Sequence, residues 1–425
     1  MRIARTLPLL LLGLPGGCQD LTSLTPERVP PPDRTRVPEG TLDDPTDPCG
    51  ALDVEAPRRL SATRGDSDGV RMALLPRPGA EAWVGVAWLE HRLLGPEEAP
   101  AQIAVQTLLE DGVPLGDTQR FDAGDPESVE IVAIPGEDLF LVATGDRDRG
   151  SFMTVLSPTS DPAEVPPELD LELPDLDQPR VALALGHGYV VGLDAAAAGP
   201  RSIRILDVTI TGRQFAVEPG VVPRIAATDV AIATNGAETW LAWNDGVQVR
   251  GAALRKTEGG DWEIREADEH VIDGHPGSLR RAHGTIDLAV AFAAWGMQDV
   301  RRLDADDWRS VGSGTADQER TESLAVTRGE SGTRWAIARA FEPGDGSPAE
   351  IRIERVRPSK AFCETPGECV RVTTDRLQSA GPEILWVDGG YLVAWSDREE
   401  IGQTDVFVAL ARCRSTTTAP AGPRD

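Results

Sequence analysis

The chain has 425 residues, a length that suits either two or three ordinary domains or one large sheet-rich domain. Its 43 Gly and 34 Pro are high for a helical protein, and no long segment keeps a 3.6-residue apolar period, so an all-β architecture is expected. With 42 Lys and Arg against 69 Asp and Glu, the net charge of -27 is spread along the whole chain; such a field repels phosphate backbones and anionic lipid and argues against a nucleic-acid partner.

The chain opens with Arg2 and Arg5, runs through LPLLLLGL at residues 7–14 and reaches PGGC with Cys18. A short basic region, a short apolar core and small residues before a cleavage point describe an export signal, too short to span a bilayer. The segment ending in Cys18 resembles a bacterial lipoprotein lipobox, with Pro15 where that family usually has Leu. The resemblance implies lipidation of Cys18 and location as an outer-membrane lipoprotein; the alternative is a periplasmic or extracellular protein. Residues 19–48 include TPERVPPPDRTRVPEGTLDDPTDP, too rich in Pro and charge to pack, and are expected to be a tether. A folded body is expected over 49–413 and a flexible tail over 414–425.

Within that body the phrase YLVAWSD, ending near Trp395, has degenerate copies. They are WVGVAWLE near Trp88, LFLVATGD near Thr144, YVVGLD near Leu193, WLAWND near Trp243, LAVAFAAW near Phe292 and WAIARAFE near Arg339. Successive intervals are 56, 49, 50, 49, 47 and 56 residues, a period of about 51. An apolar stretch lies upstream of most copies, as in VEIVAI at 129–134, VALAL at 181–185, DVAIAT at 229–234, SLAVT at 323–327 and EILWV at 383–387. Gly-containing turns separate the two, and an alternating strand follows, as in SIRILDV, EIRIERV and DVFVALA, then a weaker one such as VRVTT at 370–374.

Four strands in about 50 residues, repeated, is the blade of a β-propeller. The copies resemble the lipoprotein-type propeller repeats of bacteria over residues 58–413, which implies a seven-bladed β-propeller of four-stranded antiparallel blades. The phrase fits a second strand buried on both faces between blades. The seventh copy lacks a fourth strand, and RRLSAT at 58–63 is expected to supply it, closing the ring through the N-terminus.

Cys49, Cys363, Cys369 and Cys413 remain after Cys18, an even number in an exported chain. Cys363 and Cys369 flank the turn-like ETPGE and are expected to pair, leaving Cys49 with Cys413. The two bridges would then occupy equivalent hairpins of the sixth and seventh copies.

Glu90, Asp146, Asp194, Asp245, Glu342 and Asp397 follow the second strands within a few residues, while Asp66, Asp68, Asp125, Asp177, Asp229, Asp273, Asp317 and Asp375 fall between copies. Turn chemistry accounts for most such Asp residues. The functional reading is an acidic loop face that gathers cations or a basic partner. GDSDG at 65–69 and GDRDRG at 145–150 look like fragments of calcium loops without the full ligand series, so hairpin turns are expected and calcium is the one cofactor considered. His270, His275 and His283 have no metal-ligand spacing and read as a polar surface loop. No nucleophile motif or phosphate-cradling loop occurs. The expected function is a non-catalytic binding or scaffolding module at the cell envelope with a protein or glycan partner. The alternative is a glycan-active propeller enzyme, hydrolase or lyase.

Overall fold

The computed structural model describes residues 51–414. Outside the description lie 93–100, 159–170, 195–200, 257–261, 265–269, 273–277, 282–287, 329–334, 357–368 and shorter internal stretches, together with 1–50 and 415–425. Cys18, Cys49, Cys363, Asp125, Asp273, Asp317, Asp375, His275 and His283 therefore fall outside it, as do the signal, the tether and the tail.

The protein is all-β: among the described residues the strands form seven antiparallel sheets, each built around a four-strand path. The first takes Gly65–Leu75, Trp83–Arg92, Gln102–Leu109 and Gln119–Asp122 in sequence order, and the next five repeat that up-and-down order. Each copy of the repeated phrase is the second strand of its sheet: Trp83–Arg92, Phe140–Asp146, His187–Asp194, Thr239–Asn244, Leu288–Ala294, Trp335–Glu342 and Gly390–Arg398. These strands are buried on both faces where their side chains are described. Trp88 and Trp395 are fully buried, and the whole of Trp335–Phe341 is inside. The third strands were expected to alternate more; Arg201–Thr211 does, whereas Gln102–Leu109 is buried over six consecutive residues because it too is covered from both sides.

The hydrophobic clusters explain this burial. One joins Val70, Met72, Val84 and Trp88 of the first sheet to Leu385, Leu392, Val406 and Val408 of the last. Others lie between the first and second sheets, the second and third, the third and fourth, and the sixth and seventh. A sheet that packs on both faces leaves no polar face on its central strands, so their period-two pattern disappears. Gly85 marks how close the first two sheets come: a Cβ there would sit 2.7 Å from Ile131 Cδ1.

A bulge recurs in the first strands. Gly69 and Val70 together face Trp88, Gln178 and Pro179 face Gly192, and Gly381 and Pro382 face Trp395. The leading residue of each pair has positive φ: 64° at Gly69, 51° at Gln178 and 56° at Gly381. That is the geometry of a bulge opening in the left-handed region, which glycine adopts without strain. The register also corrects the third repeat: Gly192, not Leu193, stands where Trp88 and Trp395 stand.

The seventh sheet, Gln378–Val387, Gly390–Arg398 and Thr404–Arg414, takes its outer strand from the N-terminal segment. Arg58 and Arg59 do pair there, opposite Val408 and Phe407, but the strand begins further upstream than expected, with Ala51 opposite Arg414 and Val54 opposite Ala411. Between the two pieces, Glu55–Pro57 take up three positions against Ala409 and Leu410; Pro57 brings no N–H to the ladder, and the Glu55 N–H still reaches Leu410 O at 2.9 Å.

Candidate functional site

The first strands touch one another in order, from Gly65–Leu75 through each sheet to Gln378–Val387, which returns to Gly65–Leu75. Each is the edge strand of its own sheet. On five of them a charged side chain joins one chain of contacts, four at a matching height and Asp229 two residues earlier in its strand, and the charges alternate in sign. Glu383 accepts from Arg71 at 3.0 Å; Arg71 lies 3.8 Å from Glu130; Arg180 lies 4.0 Å from Glu130 and 3.9 Å from Asp229. Arg71, Glu130, Arg180 and Glu383 all face small or β-branched partners, Ala87, Ala143, Val191 and Ala394, on the second strands. In three of the four, the residue is the first after the bulge. This belt holds three carboxylates and two guanidinium groups, with side chains from 3% to 25% exposed. Each guanidinium is shared between carboxylates, and among these five described side chains the carboxylates outnumber the guanidinium groups by one.

Beside the belt opens a cleft of about 790 Å³. Its walls come from Ala73–Pro78 of the first sheet and Glu130–Asp138 of the second, with Leu183 and Thr234 behind. Pro76, Pro78 and Pro135 stiffen the two turns that frame it, and Gly136 takes a positive φ of 83° in the second turn. Arg77 stacks over the Trp83 ring at 3.8 Å from its centroid and lies 3.8 Å from Asp138, so its charge is partly met. Glu130 belongs to both the belt and the cleft.

No protein-family model matches the chain, and no curated protein matches it. Among solved structures it is similar to a protein of unknown function from Dyadobacter fermentans, at 10% identity over 86% of this chain and 100% of that one with a TM-score of 0.47. It is also similar to the Dos1 propeller, at 11% identity, 84% and 95% coverage and a TM-score of 0.46. A Trypanosoma rangeli sialidase in complex with sialic acid is similar at 10% identity with a TM-score of 0.41, and there the match covers 84% of this chain but 58% of the sialidase. At these identities and TM-scores the likeness carries no residue role and no activity.

Two of the six residues expected on an acidic loop face are buried inside strands. Glu90 and Asp397 lie inside second strands and are buried, not in turns, because each strand runs beyond its Trp into the next residues of the ladder. Glu90 accepts from Trp88 Nε1 at 3.2 Å and from Arg120 Nε at 2.8 Å. Asp397 accepts from Ser379 Oγ, its partner across the ladder. Asp194 and Glu342 are half-buried at strand ends, with Arg204 3.4 Å from Asp194. The side chain of Asp146 lies outside the description. Among the described side chains of the set, Asp245 fits the turn reading, accepting from the Val247 and Gln248 N–H groups, each at 2.9 Å, and from Arg250 Nε at 3.0 Å. Burial opposes its charge most strongly, yet the Gln248 and Val247 N–H groups and Arg250 together outweigh it and hold the carboxyl below its ordinary value.

The residues expected between copies also move into strands. Asp66 and Asp68 belong to Gly65–Leu75, so GDSDG is not the hairpin turn expected; Asp66 accepts from the Thr404 N–H at 3.0 Å, and His91 Nε2 lies 3.4 Å from Asp68. Asp177 is buried opposite Leu193 and meets Arg201, and Asp229 opens its strand as the last member of the belt. His270 starts a three-residue strand against Val249–Gly251 instead of lying in a loop. Among the described residues no group of three or more His, Cys, Asp or Glu is arranged to hold a metal. Cys369 and Cys413 are both in the disulfide form. The belt itself escaped sequence reading: a lone charge in an apolar stretch, such as Glu130 in VEIVAI, was its only signal.

Proposed function

We propose that the seven sheets are the blades of a closed seven-bladed β-propeller, completed by Ala51–Arg59, exported and anchored through a lipid on Cys18. In this reading it acts as a non-catalytic binding or scaffolding module at the cell envelope, with a protein or glycan partner. Support for the closed ring comes from the cyclic order of first-strand contacts and from the cluster joining the first sheet to the last. The observation that carries the binding reading is the belt. Among the described residues its two guanidinium groups are held by the protein's own carboxylates, which number three. An enzyme acting on anionic glycans needs cationic groups free to meet the substrate, so the belt favours the binding module over that form of the glycan-active alternative.

The test is co-purification of the tagged full-length chain from detergent-solubilised envelope, beside a Cys18→Ala variant and labelling with an alkyne fatty acid. Label on the wild type alone and a stoichiometric partner are expected. Turnover of a glycan by the pure protein, with no retained partner, would overturn the reading.

A further inference from the structure

The cleft beside the belt has a size typical of a binding site and a character that selects its occupant. Its floor is apolar, with Leu74, Ala133 and Pro135 only partly covered and Pro76 and Pro78 exposed. Its charged groups are Glu130 at the base, Glu137 and Asp138 exposed at the rim, and one cation, Arg77, already stacked on Trp83 and set against Asp138. Glu130 already lies between Arg71 and Arg180, so the excess at the cleft is one negative charge, at the rim, inside a chain whose net charge is -27. Glu130 meets its two guanidinium neighbours at 3.8 and 4.0 Å, the outer limit of an ion pair, whereas Glu383 meets Arg71 at 3.0 Å. Glu130 to Ala133 is also part of the edge strand of its sheet, and an edge strand offers main-chain groups to an extended segment laid beside it.

On the reading of this protein as a binding module, we infer that the cleft docks an extended segment of a partner protein in which Arg or Lys alternates with apolar residues. The apolar side chains cover Leu74, Ala133 and the prolines. The cationic side chains alternate to the other side of the extended segment and meet Glu137 and Asp138 at the rim. The framing prolines hold the walls in place before the segment arrives, so little ordering is required of the protein on binding.

Calorimetric titration of the full chain at physiological salt tests this with three acetylated, amidated pentapeptides: VRLRV, VELEV and SRSRS. Binding of VRLRV is expected, with VELEV silent and SRSRS weaker by roughly tenfold for want of apolar contact. Two variants locate the site: Ala133→Arg fills the cleft from a partly exposed position, and Glu137→Lys with Asp138→Lys reverses the rim without touching the core. Each should weaken VRLRV by roughly tenfold or more while the unfolding midpoint stays in place. Equal binding of VRLRV to all three proteins, equal binding of SRSRS, or no binding of VRLRV would overturn the inference. Co-purification with Ala133→Arg separates the two levels: a partner retained by that variant removes the cleft and leaves the binding module standing, whereas loss of every partner from the wild type removes the module itself.

Discussion

Glu90 and Asp397 occupy the same place in two sheets, two residues after a buried Trp and opposite a Ser, and one methylene separates their behaviour. The longer Glu90 reaches back to the Trp88 indole and leaves Ser67 Oγ buried without a hydrogen bond. The shorter Asp397 takes the Ser379 hydroxyl and leaves Trp395 Nε1 buried without one. Trp88→Phe therefore removes a bond to a charged acceptor as well as volume, while Trp395→Phe removes volume and an unmet donor. Urea unfolding should show Trp88→Phe costing about 1–2 kcal/mol more than Trp395→Phe; equal costs would contradict the assignment. At Asp245 the carboxyl is held below its ordinary value in the folded state, so its contribution is present above the unfolded carboxylate pKa and fades as pH falls through the folded one. Asp245→Asn should lie below the wild type by up to about 1 kcal/mol near neutral pH, and the two should converge in acid unfolding below pH about 4.

At the level of strands, the second strands were legible in the sequence because burial on both faces writes a continuous apolar phrase, and seven copies of it at one spacing outweigh the degeneracy of any single copy. First strands were legible in their apolar halves alone. Their leading halves, GDSDG, LDQ and QSAG, carry turn residues and read as loops, yet the bulge lets each stay in the ladder. Composition marks where a backbone can bend, and it does not say whether pairing resumes beyond the bend. The charged belt was hidden for a related reason: its members are single residues about 50 or more positions apart, brought together only by the stacking of sheets. Gln178 is the non-glycine member of the bulge set, at φ 51°, where a side chain strains against its own backbone. Replacing it by Gly, as at Gly69 and Gly381, should raise stability by up to about 1 kcal/mol despite the extra freedom given to the unfolded chain. A lower denaturation midpoint for Gln178→Gly would show that the Gln side chain itself contributes.

Across the whole molecule, the ends of the described chain meet in one sheet: Arg414 Nε lies 3.3 Å from Asp53 Oδ2, 361 positions away in sequence. Cys413 sits opposite Leu52, and the sequence pairing puts Cys49 just ahead of that strand. Cys369 opens the fourth strand of the sixth sheet opposite Glu354, an equivalent hairpin. Peptide mapping without reduction should recover Cys49 with Cys413 and Cys363 with Cys369, and a Cys49–Cys363 peptide would refute the arrangement. On chain entropy alone the long bridge is worth about 6 kcal/mol and the short one about 2, so Cys413→Ser should lower stability far more than Cys369→Ser.

The place where the N-terminal segment joins that last sheet has a mechanical consequence if residues 19–48 form the proposed tether. A pull transmitted from a membrane anchor would reach Ala51–Arg59 first, and those residues are held to Thr404–Arg414 by main-chain bonds that open one after another when a strand is drawn away from its end. The proposed Cys49–Cys413 bond would stand upstream of every one of them. With it formed, load passes covalently from the tether into the final strand before any hydrogen bond feels it; with it reduced, the same load peels the sheet from its outer edge. Single-molecule extension from residue 49 should register that difference as an early low-force step that appears under reductant.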